Sequence, residues 1–221
     1  MSKPEIWFAD LTHTAQGISA GTFPLGVSFV VSYAKQQFGS QFDFKLFKFP
    51  DHLNKSLTQR NPVALCFSNY SWNLELAYKF ATIAKGRYPS VVTIFGGPNF
   101  PTDSDEKVNF LRKRTNIDFY IELEGELGFV DLMAKLVDFG LDFNKLKDHM
   151  EKPLNTCYLE KDELITGAVE RIRDINVIPS PYLTGLLDEY FDLPLVPMLE
   201  TTRGCPFVCT FCAEGKKAKS K

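Results

Sequence analysis

The chain has 221 residues, 44% of them hydrophobic and 24% charged, with a formal net charge of −2. That balance excludes long disorder, collagen and coiled coil, and gives no overall nucleic-acid signal. No apolar stretch approaches the roughly 20 residues of a membrane helix, and the opening residues lack a secretory pattern. The sequence therefore predicts a cytoplasmic protein with no membrane and no nucleic acid as partner. Lys216, Lys217, Lys219 and Lys221 place a basic tail on a mildly acidic body, which reads as a solvated terminus.

Apolar runs alternate with helical patterns from the start. Residues 5–10 (EIWFAD) read as a strand that ends in a polar loop. Residues 24–38 read as a helix, with Pro24 in its first turn and Gly39 at its stop. Residues 42–49 (FDFKLFKF) alternate strictly, as in a half-buried or edge strand. A short polar helix follows over 51–60. Residues 63–68 (VALCFS) and 91–95 (VVTIF) are continuous apolar runs, as buried parallel strands are. Between them, 73–85 has helical periodicity. Residues 103–114 form an amphipathic helix with Asp103 and Glu106 as a capping box. A short strand over 118–121 and a helix over 125–139, stopped by Gly140, complete the series.

Five strands alternating with helices predict an α/β fold: a doubly wound, five-stranded parallel sheet with helices on both faces. Ligands of such sheets sit beyond the carboxyl ends of the strands. Residues 1–140 form this first unit. Residues 141–194 read as a linker carrying a small hairpin around Lys161-Asp162 and a short helix over 185–191. Residues 195–201 (LVPMLET) read as the first strand of a second unit that runs to residue 221.

Of the five cysteines, three fall within eight residues: Cys205, Cys209 and Cys212, spaced C-x3-C-x2-C. An odd number in a chain without a signal peptide argues against a disulfide framework. Three thiolates on a short loop hold three irons of a cubane cluster and leave the fourth open to a ligand. The alternatives are a zinc knuckle, whose fourth ligand would have to be Cys66, Cys157 or a histidine at unusual spacing, and three unrelated thiols.

The segment Arg203-Gly-Cys-Pro-Phe-Val-Cys-Thr-Phe-Cys212 resembles the signature of radical S-adenosylmethionine (SAM) enzymes. The resemblance implies that Cys205, Cys209 and Cys212 ligate a [4Fe-4S] cluster whose open iron chelates SAM, and that Phe211 lies near the adenine. Reductive cleavage of the sulfonium would then give a 5′-deoxyadenosyl radical.

Upstream, the chain is similar to the subgroup with an N-terminal cobalamin-binding domain of Rossmann-like, flavodoxin-like type. That subgroup carries an Asp-x-His-x-x-Gly loop after strand one, a Ser after strand three and a Gly-Gly after strand four. Ser68 and Gly96-Gly97 match. Asp10-Leu-Thr-His13 has one residue too many, and Gly17 follows His13 by four, so His13 matches loosely as a cobalt ligand. Glu124-Gly125-Glu126 resembles the element after strand five, with Leu123 in place of its first glycine.

For Gly96-Gly97, close approach of a ligand to backbone and a tight turn both remain open. Glu122, Glu124 and Glu126 are read as favouring the dipole at a helix start rather than as acid–base catalysts.

The resemblance implies an enzyme, with methyl transfer to an unactivated carbon as one activity of the parent family. A SAM barrel needs many more residues after Cys212, so the sequence predicts a fragment or split enzyme completed by a barrel or a partner chain. Its substrate would be a small molecule in a pocket lined by that barrel. The alternatives are a stand-alone cobalamin-binding module with a vestigial cysteine loop, and a radical SAM protein whose N-terminal domain no longer binds cobalamin.

Overall fold

The computed structural model describes residues 3–18, 20–204, 207 and 209–211. Five parallel strands come first: β1 (Glu5–Ala9), β2 (Asp43–Phe47), β3 (Ala64–Ser68), β4 (Val92–Gly96) and β5 (Phe119–Ile121). The helices between and after them are α1 (Leu25–Phe38), α2 (Pro50–Gln59), α3 (Leu74–Arg87), α4 (Ser104–Arg112) and α5 (Gly125–Asp138). All ten elements match the sequence reading to within a few residues. Asp103 caps α4 as expected, its carboxylate accepting from the backbone N–H groups of Asp105 and Glu106.

The sheet is larger than expected. The chain continues through α6 (Phe143–Asp148) into β6 (Thr156–Glu160) and β7 (Glu163–Thr166), and the order is β2-β1-β3-β4-β5-β6-β7. The expected five strands are therefore seven. β6 pairs antiparallel with β5, through Tyr120↔Cys157 and Ile121↔Thr156, and β7 pairs antiparallel with β6. Lys161 and Asp162 both have positive φ, as a two-residue hairpin turn requires. The physical reason for the extension is burial. Cys157 and Tyr158 are fully buried on opposite faces, so the hairpin finishes both layers of the core and covers the short strand β5.

The two faces follow from the pleat. Ile6, Phe8, Cys66, Ile94 and Phe119 point to one face and pack under α1 and α5. Trp7, Leu65, Phe67 and Phe95 point to the other and pack under α2, α3 and α4. Register aligns Phe8, Cys66, Ile94 and Phe119 in one row. Two residues further on, Ser68, Gly96 and Ile121 form the next row, at the carboxyl ends. The sheet's alternation thus delivers Ser68 and Gly96 to the α1/α5 face.

After the hairpin the chain is irregular. A 3-10 turn, Asp188–Asp192, takes the place of the short helix expected over 185–191. Residues 195–201, expected as the first strand of a second unit, form no strand. Val196 makes a single β-bridge with Thr22, donating to the Gly21 carbonyl at 2.7 Å and accepting from Phe23 N–H at 2.9 Å. Among the described residues no helix is long and apolar enough to cross a membrane.

Tyr158 tests whether the hairpin belongs to the core. Its ring meets Phe119 edge-on at 5.2 Å, and its hydroxyl donates to the Glu151 carbonyl at 2.7 Å. Tyr158→Ala is expected to cost about 3–5 kcal/mol, read as a fall in the urea midpoint with unchanged slope. A change within error would place the hairpin outside the cooperative unit.

Candidate functional site

The carboxyl end of the sheet carries a buried polar row. Lys48 follows β2, Asp10 follows β1 and Ser68 ends β3. Lys48 Nζ donates to Asp10 Oδ2 at 2.8 Å, and both side chains are buried. Ser68 Oγ donates to the other oxygen of Asp10. Ser68 Oγ in turn accepts from Asn73 Nδ2 at 3.0 Å, while Asn73 Oδ1 accepts from Tyr70 N–H at 2.8 Å. The Ser68 proton is therefore committed to a carboxylate, and the oxygen keeps one lone pair beyond the bond from Asn73.

A second network ties the loops after β3 and β4. Asn69 Nδ2 donates to the Asn99 carbonyl at 2.6 Å and to Tyr120 Oη at 2.9 Å, and Tyr120 Oη donates to the Gly97 carbonyl at 2.9 Å. Gly97 has φ +130°, and a Cβ there would lie 2.6 Å from the Asn69 carbonyl oxygen. Glycine is required at 97 by the neighbouring loop's backbone, whatever else approaches it. Burial pushes the Tyr120 hydroxyl's pKa well up, so it stays protonated as a donor.

These rows border a cavity of about 370 Å³. Its floor is Cys66, Ile94 and Phe129; Ser68, Gly96 and Gly97 line the strand ends; Val27 and Val30 of α1 and Gly125 of α5 form the sides. The volume lies in the range of small-molecule sites. A further wall comes from Glu200, Thr202, Arg203 and Gly204. Tyr70 also lines it and stacks on Trp72, with centroids 4.5 Å apart and planes within 4°. Burial, reinforced by the Asp10 and Glu200 charges, raises the Tyr70 pKa.

The acidic cluster has specific partners. Glu122 accepts from Lys107 Nζ at 2.7 Å. Glu124, immediately before α5, and Glu126, in its first turn, are both buried and pair with Arg203 at 3.2 and 2.7 Å. Arg171 takes the other oxygen of Glu124 at 3.3 Å. Burial works against the Arg203 charge, but Glu126 and Glu200 outweigh it and raise its pKa.

The structure thus brings Ser68, Gly96 and Gly97 together on the cavity. It does not bring His13 there. His13 lies exposed on the loop after β1, and its Nε2 donates to the Trp72 carbonyl at 3.0 Å. Phe211 is 92% exposed and Cys209 half-buried. Cys205 and Cys212 lie outside the described residues, and among those described no three metal-ligating side chains cluster. Asp10, Lys48, Asn69, Tyr120 and Arg203 were not among the expected site residues. Asp10 and Asn69 carry a signal of position, since each directly follows a strand.

The two remaining cysteines belong to the sheet. Burial pushes the Cys66 and Cys157 thiols up, and the Glu122 charge adds to the shift at Cys157. At pH 8 both then carry less thiolate than an ordinary cysteine. Iodoacetamide is expected to label Cys209 at least about tenfold faster than either in native protein, by site-resolved mass spectrometry. Comparable rates would mean that neither thiol sits in the core.

No protein-family model matches the chain. It is 31% identical over 168 residues to the cobalamin-dependent radical SAM methyltransferase TokK of Streptomyces tokunonensis, covering 72% of this chain and 23% of TokK. It is 28% identical over 216 residues to the 2-(S-pantetheinyl)-carbapenam-3-carboxylate methyltransferase of Streptantibioticus cattleyicolor, covering 92% and 30%. Among solved structures it matches OxsB, a cobalamin-dependent SAM radical enzyme with aqua-cobalamin and SAM bound, with a TM-score of 0.65 at 18% identity. That match covers 96% of this chain and 28% of OxsB. The chain spans less than a third of the length of these relatives. The family resemblance drawn from the sequence holds: the chain is related to cobalamin-dependent radical SAM enzymes.

Proposed function

We propose that this chain, as a relative of one part of the cobalamin-dependent radical SAM methyltransferases, is the cofactor-holding portion of such an enzyme. The observation that carries this is the cavity at the carboxyl ends of β3, β4 and β5, lined by Ser68, Gly96 and Gly97. These are the residues through which the sequence resembles a cobalamin domain.

The residues fit the tail of such a cofactor. Gly96 and Gly125 keep the walls low: a Cβ at Gly125 would come 3.0 Å from Val30 Cγ2, and one at Gly96 would come 3.3 Å from the Ile121 carbonyl oxygen. The floor is apolar and the rim polar, as a site for a flat nucleotide-like group requires. Ser68, fixed by Asp10 and Asn73, would accept a hydrogen bond at the rim. The cavity is smaller than a whole corrinoid, so the macrocycle would rest over the loops that follow the strands. His13, engaged with Trp72, is not needed as a ligand in this reading.

The thiol inventory fits an open cluster. Cys66 and Cys157 are built into the sheet, so neither supplies a fourth ligand to the motif. Cys205, Cys209 and Cys212 would hold three irons of a [4Fe-4S] cluster, leaving one for SAM. When bound, the cluster supplies an electron to SAM and cobalamin supplies a methyl group. The chain's part is to hold both, exclude water from the cavity and fix the loops between them. The substrate would be a small molecule recognised outside these residues.

The test is an anaerobic titration with hydroxocobalamin, read as visible absorption after desalting. Wild type is expected to retain one corrinoid per chain. Val30→Phe, which puts a ring into the cavity, should weaken retention at least about tenfold, or 1.4 kcal/mol, with the far-ultraviolet circular dichroism unchanged. Cys209→Ala should lose iron after reconstitution while keeping corrinoid. Retention untouched by Val30→Phe would remove the cavity from the reading. No retention, with iron still bound, would leave a radical SAM chain whose N-terminal domain has lost cobalamin. Retention with no iron would leave a cobalamin module.

A further inference from the structure

Arg203 stands two residues before Cys205 and is ion-paired to the sheet domain. Its Nη2 donates to Glu126 Oε1 at 2.7 Å, its Nη1 to Glu124 Oε2 at 3.2 Å and its Nε to Glu200 Oε2 at 3.0 Å. The guanidinium lies 5.1 Å from the centroid of the Phe29 ring, on α1. One side chain therefore joins three elements: α1, the start of α5 and the stem of the cysteine motif.

Tyr182 Oη donates to the Met198 carbonyl at 2.6 Å and accepts from the Met198 N–H at 3.2 Å; beyond Met198 the stem has few other ties. After Val196 no backbone hydrogen bond between residues 199 and 204 and the sheet domain is found among the described residues. Leu199 is largely exposed, and Gly204 takes a positive φ of 77°, where the chain turns. Yet Glu200, Thr202, Arg203 and Gly204 line the same cavity as Ser68 and Gly96. Arg203 is suited to the task because a guanidinium offers several donors in a fixed fork, whereas a lysine gives one compact charge. The carboxylates are suited because both are buried and need a cation.

We infer that Arg203 is a latch that fixes residues 200–204 as a wall of the cavity, so that the stem leading into the cysteine motif and the group filling the cavity are positioned as one site. The identity of that group rests on the function proposed above; the latch does not. Arg203 is a positioning residue: it acts through the loop that follows it. Because the wall is shared, a ligand in the cavity should hold the stem, and the stem should help hold the ligand.

The experiment is limited trypsinolysis of the whole chain, with the rate at the 203–204 bond read by mass spectrometry. Cleavage at Lys79, in the middle of α3, serves as the control for global opening. Glu126→Gln keeps the cleavage site and changes only a charge. Without ligand, cleavage after Arg203 is expected to rise about tenfold or more over wild type, since cleavage follows the population of the open form. Arg203→Lys, which keeps the charge and loses the fork, should fall between the two once each rate is divided by that of the same bond in the urea-unfolded chain. Added hydroxocobalamin should slow cleavage at 203 in wild type about fivefold or more and do less in Glu126→Gln.

Equal cleavage in wild type and Glu126→Gln overturns the latch. Bound hydroxocobalamin that leaves the 203–204 bond unprotected overturns the shared wall. Absence of corrinoid binding overturns the proposed function, while the comparison without ligand still decides the latch. Where Glu126→Gln also opens the control site, Arg203→Lys at constant control cleavage decides it instead.

Discussion

The carboxyl end of the sheet is organised around one buried charge, Asp10. A carboxylate taken out of water costs several kcal/mol unless it is paired and hydrogen-bonded. Here Lys48 supplies the cation from the adjacent edge strand, and Ser68 supplies a hydroxyl from the other neighbour. The pair itself is weak grounds for stability, since two apolar residues would pack as well. Its consequence is orientation. Three consecutive strands, β2-β1-β3, end in side chains that satisfy one another, so each following loop leaves the sheet in a fixed direction. Asn73 extends the constraint into the loop before α3.

The neighbouring strands are held by a different device. Gly97 and Asn69 approach so closely that no side chain fits between them, and Tyr120 closes the gap with its hydroxyl. The loop after β4 is thereby fastened to the loop after β3 without any charge. The cavity lies where the two devices meet, between Ser68 and Gly96. Its rim is rigid because its polar groups are engaged, and its floor is open because glycine stands where walls would otherwise grow. A preorganised rim of this kind lowers the ordering cost that binding must offset.

Much of this was legible in the sequence, and for identifiable reasons. Buried parallel strands read as apolar runs, and VALCFS and VVTIF marked the limits of β3 and β4 to within one residue. Ser68 and Gly96-Gly97 could be placed on one sheet edge because the strand period fixes direction. The hairpin over 156–166 was legible as a hairpin, but its pairing was not. A β-turn signal at Lys161-Asp162 is local, whereas docking on β5 depends on α6 returning the chain to that edge. Lys48 reads as one more polar residue on an alternating strand; only the neighbour order β2-β1 shows that it meets Asp10. His13 stands in the expected loop, but its hydrogen bond to the carbonyl of Trp72 joins it to a loop 59 residues away, which no local pattern shows. The role of Gly97 was half legible: its glycine was marked, but the backbone that demands it belongs to another loop.

Arg203 was the least legible of all, because its partners lie 77 and 79 residues earlier. In the sequence it is the first residue of a motif whose chemistry is carried by cysteines. The triad Glu122, Glu124 and Glu126 reads as support for the α5 dipole, an effect worth a fraction of a kcal/mol at an exposed site. Burial changes the scale. Glu124 and Glu126 are withdrawn from water, and a half-buried guanidinium is what makes that tolerable. The dependence runs both ways: without the carboxylates the stem loses its charged anchor, and without the stem the carboxylates have lost a counter-ion. Two segments far apart in sequence, each marked by a different motif, thus share one electrostatic requirement. An apolar cluster of Phe23, Leu25, Leu187 and Tyr190 docks the segment before the stem; beyond it, that electrostatic requirement is what holds Arg203 at the mouth of the sheet.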